Sequence, residues 1–327
     1  GLALAEAKDK DAIPVLIALL DVLPFDQTGT LEDALYTLAG DKAPEAAPGS
    51  DAASRRAYRE KWQEWWQKHG AEADLAALTQ PSRLLGFTMV ILLDEGKLQE
   101  LDGAKRVRWK IEGLGFPLDA QYLPGDRVLV AEQGANRVTE RDLKGNIVWE
   151  KQVPEPLMAQ RLPNGATLIA SRQQVIEVNR DGTTLATHTR PAGESVMRAQ
   201  KIRSGDLAIV TMDLNTNATR YVRVDAKGKE VASFPVPVRT SGGRIEVLPN
   251  GHVLVPEMQG NRVAEYDATG KVVWSAQVPQ PIAAVRLPNG RTLVTSMTEN
   301  RAVELDRAGS PVWEFRHDSR VSRAWRR

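Results

Sequence analysis

The sequence contains no cysteine. That excludes disulfides, thiolate metal sites, iron–sulfur clusters and a cysteine nucleophile, and it leaves the redox compartment open, because a chain without thiols survives in either. Charge of one sign is also missing. Forty-three Lys+Arg stand against 42 Asp+Glu, a net charge of +1, so no global field recruits nucleic acid or an anionic membrane. Long apolar runs are absent too. The most apolar stretches, Ile13–Leu20 and Leu84–Leu93, fall far short of the roughly 20 residues of a membrane-spanning helix. Histidine is scarce, with four copies: His69, His188, His252 and His317. They occupy unrelated positions, so no three-histidine metal site is expected. No phosphate-cradling loop, dinucleotide fingerprint, HExxH or GxSxG is present, and no cofactor, metal or catalytic residue is assigned. What remains is an ordinary globular balance, 42% hydrophobic and 26% charged.

The chain changes character near residue 80. Before it, the pattern is helical. Gly1 to Ala7 reads as helix interior, which predicts a piece of a longer chain. Asp11 is placed to cap the next helix, with Pro14 in its first turn and Pro24 ending it. Leu31–Leu38 reads as a helix closed by Gly40, followed by a polar linker over Asp41–Asp51. Ala52–His69 is the strongest helix, with Tyr58, Trp62, Trp65, Trp66 and His69 on one face and Gly70 as its stop. That aromatic face suits core packing, or else a ligand-stacking surface.

From about residue 84 the chain repeats. Each unit is a strand, a turn of the Pro-Asn-Gly kind, a second strand, a loop, a third strand, a turn with Gly and a fourth strand. The first turn recurs at Gly125, Gly165, Gly205, Gly251 and Gly290, at intervals of 40, 40, 46 and 39 residues. The second recurs as Asp142-x-x-Gly145, Asn179-x-x-Gly182, Asp225-x-x-Gly228, Asp267-x-x-Gly270 and Asp306-x-x-Gly309. Gly supplies positive φ in such turns, and Asp or Asn bonds the backbone two residues on. Fourth strands carry Trp109, Trp149, Trp274 and Trp313; Ala186 and Ala232 replace it in two units.

Four short strands about every 40 residues predict a β-propeller. Six blades are expected: about 84–117, 118–156, 157–195, 196–241, 242–281 and 282–316. The first has strands over Phe87–Leu92, Lys97–Leu101 and Arg106–Ile111 but lacks an inner strand. Val321–Arg326 aligns with Val196–Lys201 and is predicted to supply it, so that no sheet edge at the closure stays open. The fold class is therefore mostly β. A six-bladed propeller over 84–327, closed by the C-terminal strand, follows a small helical segment over 1–80.

The stretch KDKDAIPVLIALLD, ending at Asp21, resembles the second-helix region of a HEAT repeat, which implies the end of an α-solenoid. The segments NRVTERDLKGNIVWE (Asn136 to Glu150) and NRVAEYDATGKVVWS (Asn261 to Ser275) resemble PQQ-like or WD40-like propeller repeats of bacterial proteins. They are also similar to NHL repeats and to the arylsulfotransferase propeller. The resemblance implies a bacterial HEAT-plus-propeller protein, with a periplasmic or secreted location favoured. The arylsulfotransferase likeness implies a channel histidine, and none falls on an inner strand. Quinoprotein dehydrogenases of this class imply eight blades and often vicinal cysteines, which this chain lacks.

In a propeller, the inner strands line a central channel. Reading across them gives a ring of Asp119, Met158, Arg198, Arg244, Ala283 and Arg323, and a second of Gln121, Gln160, Gln200 and Glu246. Arg198, Arg244 and Arg323 can converge on an anion near the channel mouth, or else form ion pairs between blades. Glu132 and Glu257 precede the repeated Asn136-Arg137 and Asn261-Arg262 turns, and are the candidate pair of carboxylates. The ligand-site expectation is thus Arg198, Arg244, Arg323, Asp119, Glu132 and Glu257.

Two functions are expected from this reading. The first is a non-catalytic interaction scaffold that presents propeller and helical faces to a protein partner, with an anionic ligand or glycan as a further partner. The alternative is a lyase, hydrolase or sulfotransferase-like enzyme acting on an anionic substrate at the channel mouth. The basic cluster Arg320, Arg323, Arg326 and Arg327 is partly used by the closing strand, so no nucleic-acid partner is expected.

Overall fold

The computed structural model describes residues 9–23, 51–75, 87–123, 125–239 and 244–326, with positions 28, 31, 34, 35, 38, 39, 42 and 44. The helices expected over Gly1–Ala7 and, for the most part, Leu31–Leu38 with Gly40 lie outside these residues, as do Pro24 and most of the Asp41–Asp51 linker.

Among the described residues, the repeats form six antiparallel sheets of four strands each. In the second blade these are Pro117–Leu123, Arg127–Glu132, Arg137–Asp142 and Ile147–Gln152. The inner strands of blades three to six are Met158–Arg161, Glu194–Lys201, Glu246–Val247 and Pro281–Arg286. The first blade takes its inner strand from the C-terminus. Val321–Arg326 pairs antiparallel with Thr88–Leu92, with Ala324 opposite Val90, and Lys97–Leu101 and Val107–Ile111 complete the sheet. This is the expected six-bladed ring, closed by the predicted strand.

The strand compositions follow from burial. Second strands such as Val253–Glu257 are covered on both faces, and all their residues are buried. They are accordingly apolar almost throughout. Outer strands such as Ile147–Gln152 face solvent and carry mixed residues.

The apolar cores lie between blades. Leu129, Ala131 and Val138 of the second blade pack on Ala159, Ile169 and Ile176 of the third. The fourth and fifth meet through Met197, Val210 and Phe234 against Val253, Val255 and Tyr266. The last seam joins Leu293, Ala302 and Phe315 to Val90, Val321 and Ala324. A blade without its neighbour exposes this surface, so the ring is stable only when closed.

The turns behave as their residues require. Gly165 and Gly251 adopt φ of +80° and +81°. Asp142 Oδ1 accepts from Lys144 N and Asn146 N at 3.0 and 2.9 Å.

The described helices are α1 (Ala12–Leu19) and α2 (Ala52–His69). Ile13, Leu16 and Ile17 of α1 pack on Tyr58, Trp62 and Trp65 of α2 in one cluster. The Tyr58 and Trp62 rings meet edge to face, centroids 6.3 Å apart. The aromatic face is therefore core. Two local expectations are corrected. Asp11 makes no side-chain cap; Asp9 Oδ1 instead accepts from Asp11 N at 3.0 Å. Gly70 ends α2 with φ −60°, so left-handed backbone is not its reason. A Cβ there would lie 2.8 Å from the Trp66 ring, which demands glycine.

Candidate functional site

The channel wall is built by the inner strands, and four of these carry a register shift at the ring position. The shifts fall between Pro117 and Asp119, between Val196 and Arg198, between Pro281 and Ala283, and opposite Arg323. Bulges bend a strand and redirect side chains. Arg244 is held differently. Its N–H donates to Ile282 O at 3.0 Å, across the seam to the sixth blade.

These strands bring Asp119, Arg198, Arg244 and Arg323 together. Asp119 Oδ2 accepts from Arg198 Nη1 at 2.8 Å, and Oδ1 from Arg244 Nη1 at 3.4 Å. Arg198 and Asp119 are buried; the Arg244 side chain keeps 22% exposure and lies 5.2 Å from the Trp325 ring centroid. Arg323 is buried and donates from Nη1 to Ser322 O at 2.6 Å. Burial pushes the Arg323 guanidinium below its ordinary value; Asp119 opposes this, and Arg198 and Arg244 add repulsion. Arg198 shifts the same way, mainly through burial, with Asp119 opposing and Arg244 adding to it.

Asp119 and Arg323 are each the third residue of their inner strands, Pro117–Leu123 and Val321–Arg326. Asp119, Arg198 and Arg244 line one cavity of about 350 Å³ with Met89, Tyr122, Met158, Gln160 and Trp325. Arg323 lines another, of about 360 Å³, with Phe116, Leu118, Gln133, Ile282 and Met297. The second cavity opens among strand starts and second-to-third strand loops, the face expected to hold the entrance.

Met158 lines the first cavity, while Ala283 is buried beside the Arg244 bridge. The two glutamates do not join the cluster. Glu132 accepts from Arg141 Nη2 at 2.7 Å, Thr139 Oγ1 at 2.7 Å, Gly115 N at 3.0 Å and Arg137 Nη2 at 3.3 Å. Burial would raise its carboxyl, but these donors outweigh it and hold it below the usual carboxylate range. Glu257 accepts from Arg262 Nε at 2.7 Å and from the Tyr266 hydroxyl. Each is consumed within its own part of the ring, and they do not pair with each other. The repeated Asn-Arg turns explain why. Asn136 and Asn261 adopt φ of +55° and +49°, and the arginine that follows turns back onto the preceding glutamate.

The ring of Gln121, Gln160, Gln200 and Glu246 serves the seams. Each accepts a backbone N–H from the next inner strand: Arg161, Lys201, Val247 and Arg286 respectively. A further seam device escaped the sequence reading. Arg161, Arg286 and Arg326 stack over Trp149, Trp274 and Trp313 of the preceding blade, at 5.5, 4.5 and 4.1 Å from the ring centroids. The same guanidinium groups pair with Glu140, Glu265 and Glu304 at 2.6, 2.7 and 2.8 Å. The signal is present in the repeat: an arginine follows each of these tryptophans by 12 or 13 residues.

No histidine lines either cavity. His188 lies in an outer strand, His252 pairs with Glu265 at 2.7 Å, and His317 lies 3.3 Å from Glu95. Among the described residues, no group of three potential ligands is placed to hold a metal, and no helix is long and apolar enough to cross a membrane.

No curated protein sequence matches the chain. The family model described as outer membrane protein assembly factor BamB, of the PQQ-like repeat type, matches residues 218–325. Three solved structures are similar in fold. A protein of unknown function from Bacteroides caccae is 20% identical with a TM-score of 0.50, covering 58% of this chain and 72% of that one. A streptogramin B lyase is 17% identical with a TM-score of 0.52, covering 72% and 80%. A catalytically inactive histidine-to-alanine variant of virginiamycin B lyase from Staphylococcus aureus, crystallised with quinupristin, is 16% identical with a TM-score of 0.51, covering 68% and 78%. At these identities the likeness is one of fold. A PQQ-like repeat over residues 218–325, set in a six-bladed propeller, is what the chain shares with known proteins.

Proposed function

We propose that the chain is a non-catalytic interaction module in which a helical layer and a propeller present rigid faces to a protein partner. The observation that carries this is the state of the acidic groups expected to do chemistry. Asp119 is engaged by two arginines, and Glu132 and Glu257 are each saturated by donors near their own turns. A general acid or base needs a titratable group free to meet substrate. The lyase among the similar structures loses activity when one histidine becomes alanine, and this channel offers no histidine in the walls of its cavities. The family matched by residues 218–325 is described as an assembly factor, which supports a protein partner and a location outside the cytoplasm. We assign residues 1–80 to a HEAT-like layer and 84–327 to the propeller. The apolar cluster of the helices contains no propeller residue, which supports that division.

The test is face-specific photo-crosslinking. Photoreactive residues are placed at Gln133 or Met297, beside the cavity among the second-to-third strand loops, and at Asn164 or Asn250, on the opposite turns. One partner crosslinked from one face, and lost when charged residues of that face are reversed, supports the reading. Substrate turnover that depends on Arg198 or Arg244 overturns it in favour of an enzyme acting on an anionic substrate, a second reading supported by the arginine cluster itself.

A further inference from the structure

The cluster in the channel is out of balance. Two guanidinium groups, Arg198 and Arg244, share one carboxylate, Asp119, and the buried Arg323, which lines the neighbouring cavity, adds its positive charge to theirs. Glu246 does not restore the balance. Its carboxyl accepts the Arg286 N–H, and burial pushes it toward the neutral form more than Arg286 and Arg244 pull it back. Acceptors are short as well. The Nε atoms of Arg198 and Arg323 are buried without a hydrogen-bond partner. Buried cations and unmade buried donors are both costly, and the remedy is an anion that brings acceptor oxygens.

We propose that the channel binds a carboxylate ligand, its carboxyl group against Arg198 and Arg244 and its body in the adjoining cavity. The geometry selects the class. Asp119 already presents one oxygen to each of these arginines, so they are spaced for a planar two-oxygen group. The contact to Arg244 is the longer, and Arg244 is the member open to the cavity, so it can turn to an incoming anion at little cost. Met89, Tyr122, Met158 and Trp325 give the cavity apolar walls, which suit an organic acid with a flat or apolar body better than a hydrated inorganic ion. A volume of about 350 Å³ lies at the low end of ligand cavities and fits one ring or one inserted side chain. The carboxylate can come from a free small acid or from an acidic side chain of a partner. The inference stands apart from the partner reading above.

The experiment is calorimetry and thermal melting of the full chain at low salt. The probes are phenylacetate, its neutral counterpart 2-phenylethanol, sulfate, and a capped glutamyl-phenylalanine dipeptide. Phenylacetate is expected to bind about tenfold or more tighter than 2-phenylethanol. Arg244→Gln should weaken it by about tenfold or more, with Arg244→Lys recovering part. Asp119→Asn removes the competing internal carboxylate, so it should lower the melting temperature of the free protein and tighten phenylacetate binding. A dipeptide tighter than phenylacetate assigns the carboxylate to a partner's side chain, and the reverse assigns it to a free acid. Silence from both, equal binding of the alcohol, binding of sulfate alone, or indifference to Arg244→Gln in a folded variant overturns the proposal.

Discussion

Gln160 holds Lys201 of the next blade by both backbone groups: its Oε1 accepts from Lys201 N at 2.9 Å and its Nε2 donates to Lys201 O at 3.1 Å. An amide supplies the acceptor and the donor at once, which is why glutamine suits this ring. Glu246 stands in the equivalent place and accepts from Arg286 N. An ionised carboxylate can only accept; a protonated one imitates the amide. Burial accordingly pushes the Glu246 carboxyl above its ordinary range, against the pull of the Arg286 N–H and the Arg244 and Arg286 charges.

A pH dependence follows. A group whose folded value is raised contributes stability that is complete below its unfolded value and lost as pH rises through the folded one. Glu246→Gln keeps the acceptor and donor at every pH. It should be nearly neutral around pH 4 and stabilise by about 1 kcal/mol above the carboxylate range, about 1.5 °C in melting temperature for a chain of this size. Melting curves across that interval check it. A variant destabilised equally at all pH values would count against the argument.

The stacked arginines should behave as coupled seam elements. Arg286 lies over Trp274, pairs with Glu265, and donates to Thr292 Oγ1 at 2.7 Å. Arg286→Met should cost about 2–3 kcal/mol, because it leaves Glu265 half-buried with a weaker set of donors. Trp274→Ala should cost about 3 kcal/mol through lost packing. Since both remove one stack, the double variant should fall short of the sum by about 1 kcal/mol in denaturant titrations. Strict additivity would remove the stack from the account.

The propeller was legible because its information is local and repeated. Each Pro-Asn-Gly or Asp-x-x-Gly turn declares itself in four residues, and the closing strand has the alternation of its counterpart over Val196–Lys201. The meeting of Arg198 and Arg244 at Asp119 follows the same logic, since equivalent register positions on a ring face one channel; Arg323, at the same register, lines the other cavity. Their guanidinium directions were not legible. Those depend on the bulges before Asp119 and Arg198 and on whether Asp119 or Ser322 O is nearer, which is tertiary geometry. Glu132 and Glu257 were open to misreading because their partners, Arg137 and Arg262, lie five residues on and looked like turn residues. The Trp–Arg stacks cross a blade boundary, so no single repeat unit contains both members.

The closing strand carries a sharper expectation. Deleting Ser319–Arg327 removes Val321 and Ala324 from the seam between the sixth and first blades. It also removes the Arg326 donors to Glu304 and Thr88, and bares the edge of Thr88–Leu92. Losing two buried apolar side chains, a buried ion pair and a strand's ladder should cost well over about 5 kcal/mol. The truncated chain should aggregate through the open edge, seen by size-exclusion chromatography and light scattering. A monodisperse product with an unchanged melt would mean that the ring closes otherwise.

Glu132 separates a structural carboxylate from a catalytic one. Four donors converge on it, and its side chain is buried. Glu132→Gln puts an NH₂ group against at least one of them, leaving a buried donor facing a donor. It should cost about 2–4 kcal/mol at neutral pH. The sign with pH is opposite to that of Glu246. Burial would raise the carboxyl, but the hydrogen bonds from Arg141, Gly115 and Thr139 prevail and hold it low. Its contribution is therefore present above the unfolded value and is lost as pH falls through the depressed folded one. The difference between the two proteins should thus stay constant through the neutral range and narrow only in acid below about pH 4. Phenylacetate binding should not change, because Glu132 lines neither cavity. A folded Glu132→Gln protein of unaltered stability that loses ligand binding or turnover would return this carboxylate to the functional site and revive the enzymatic reading.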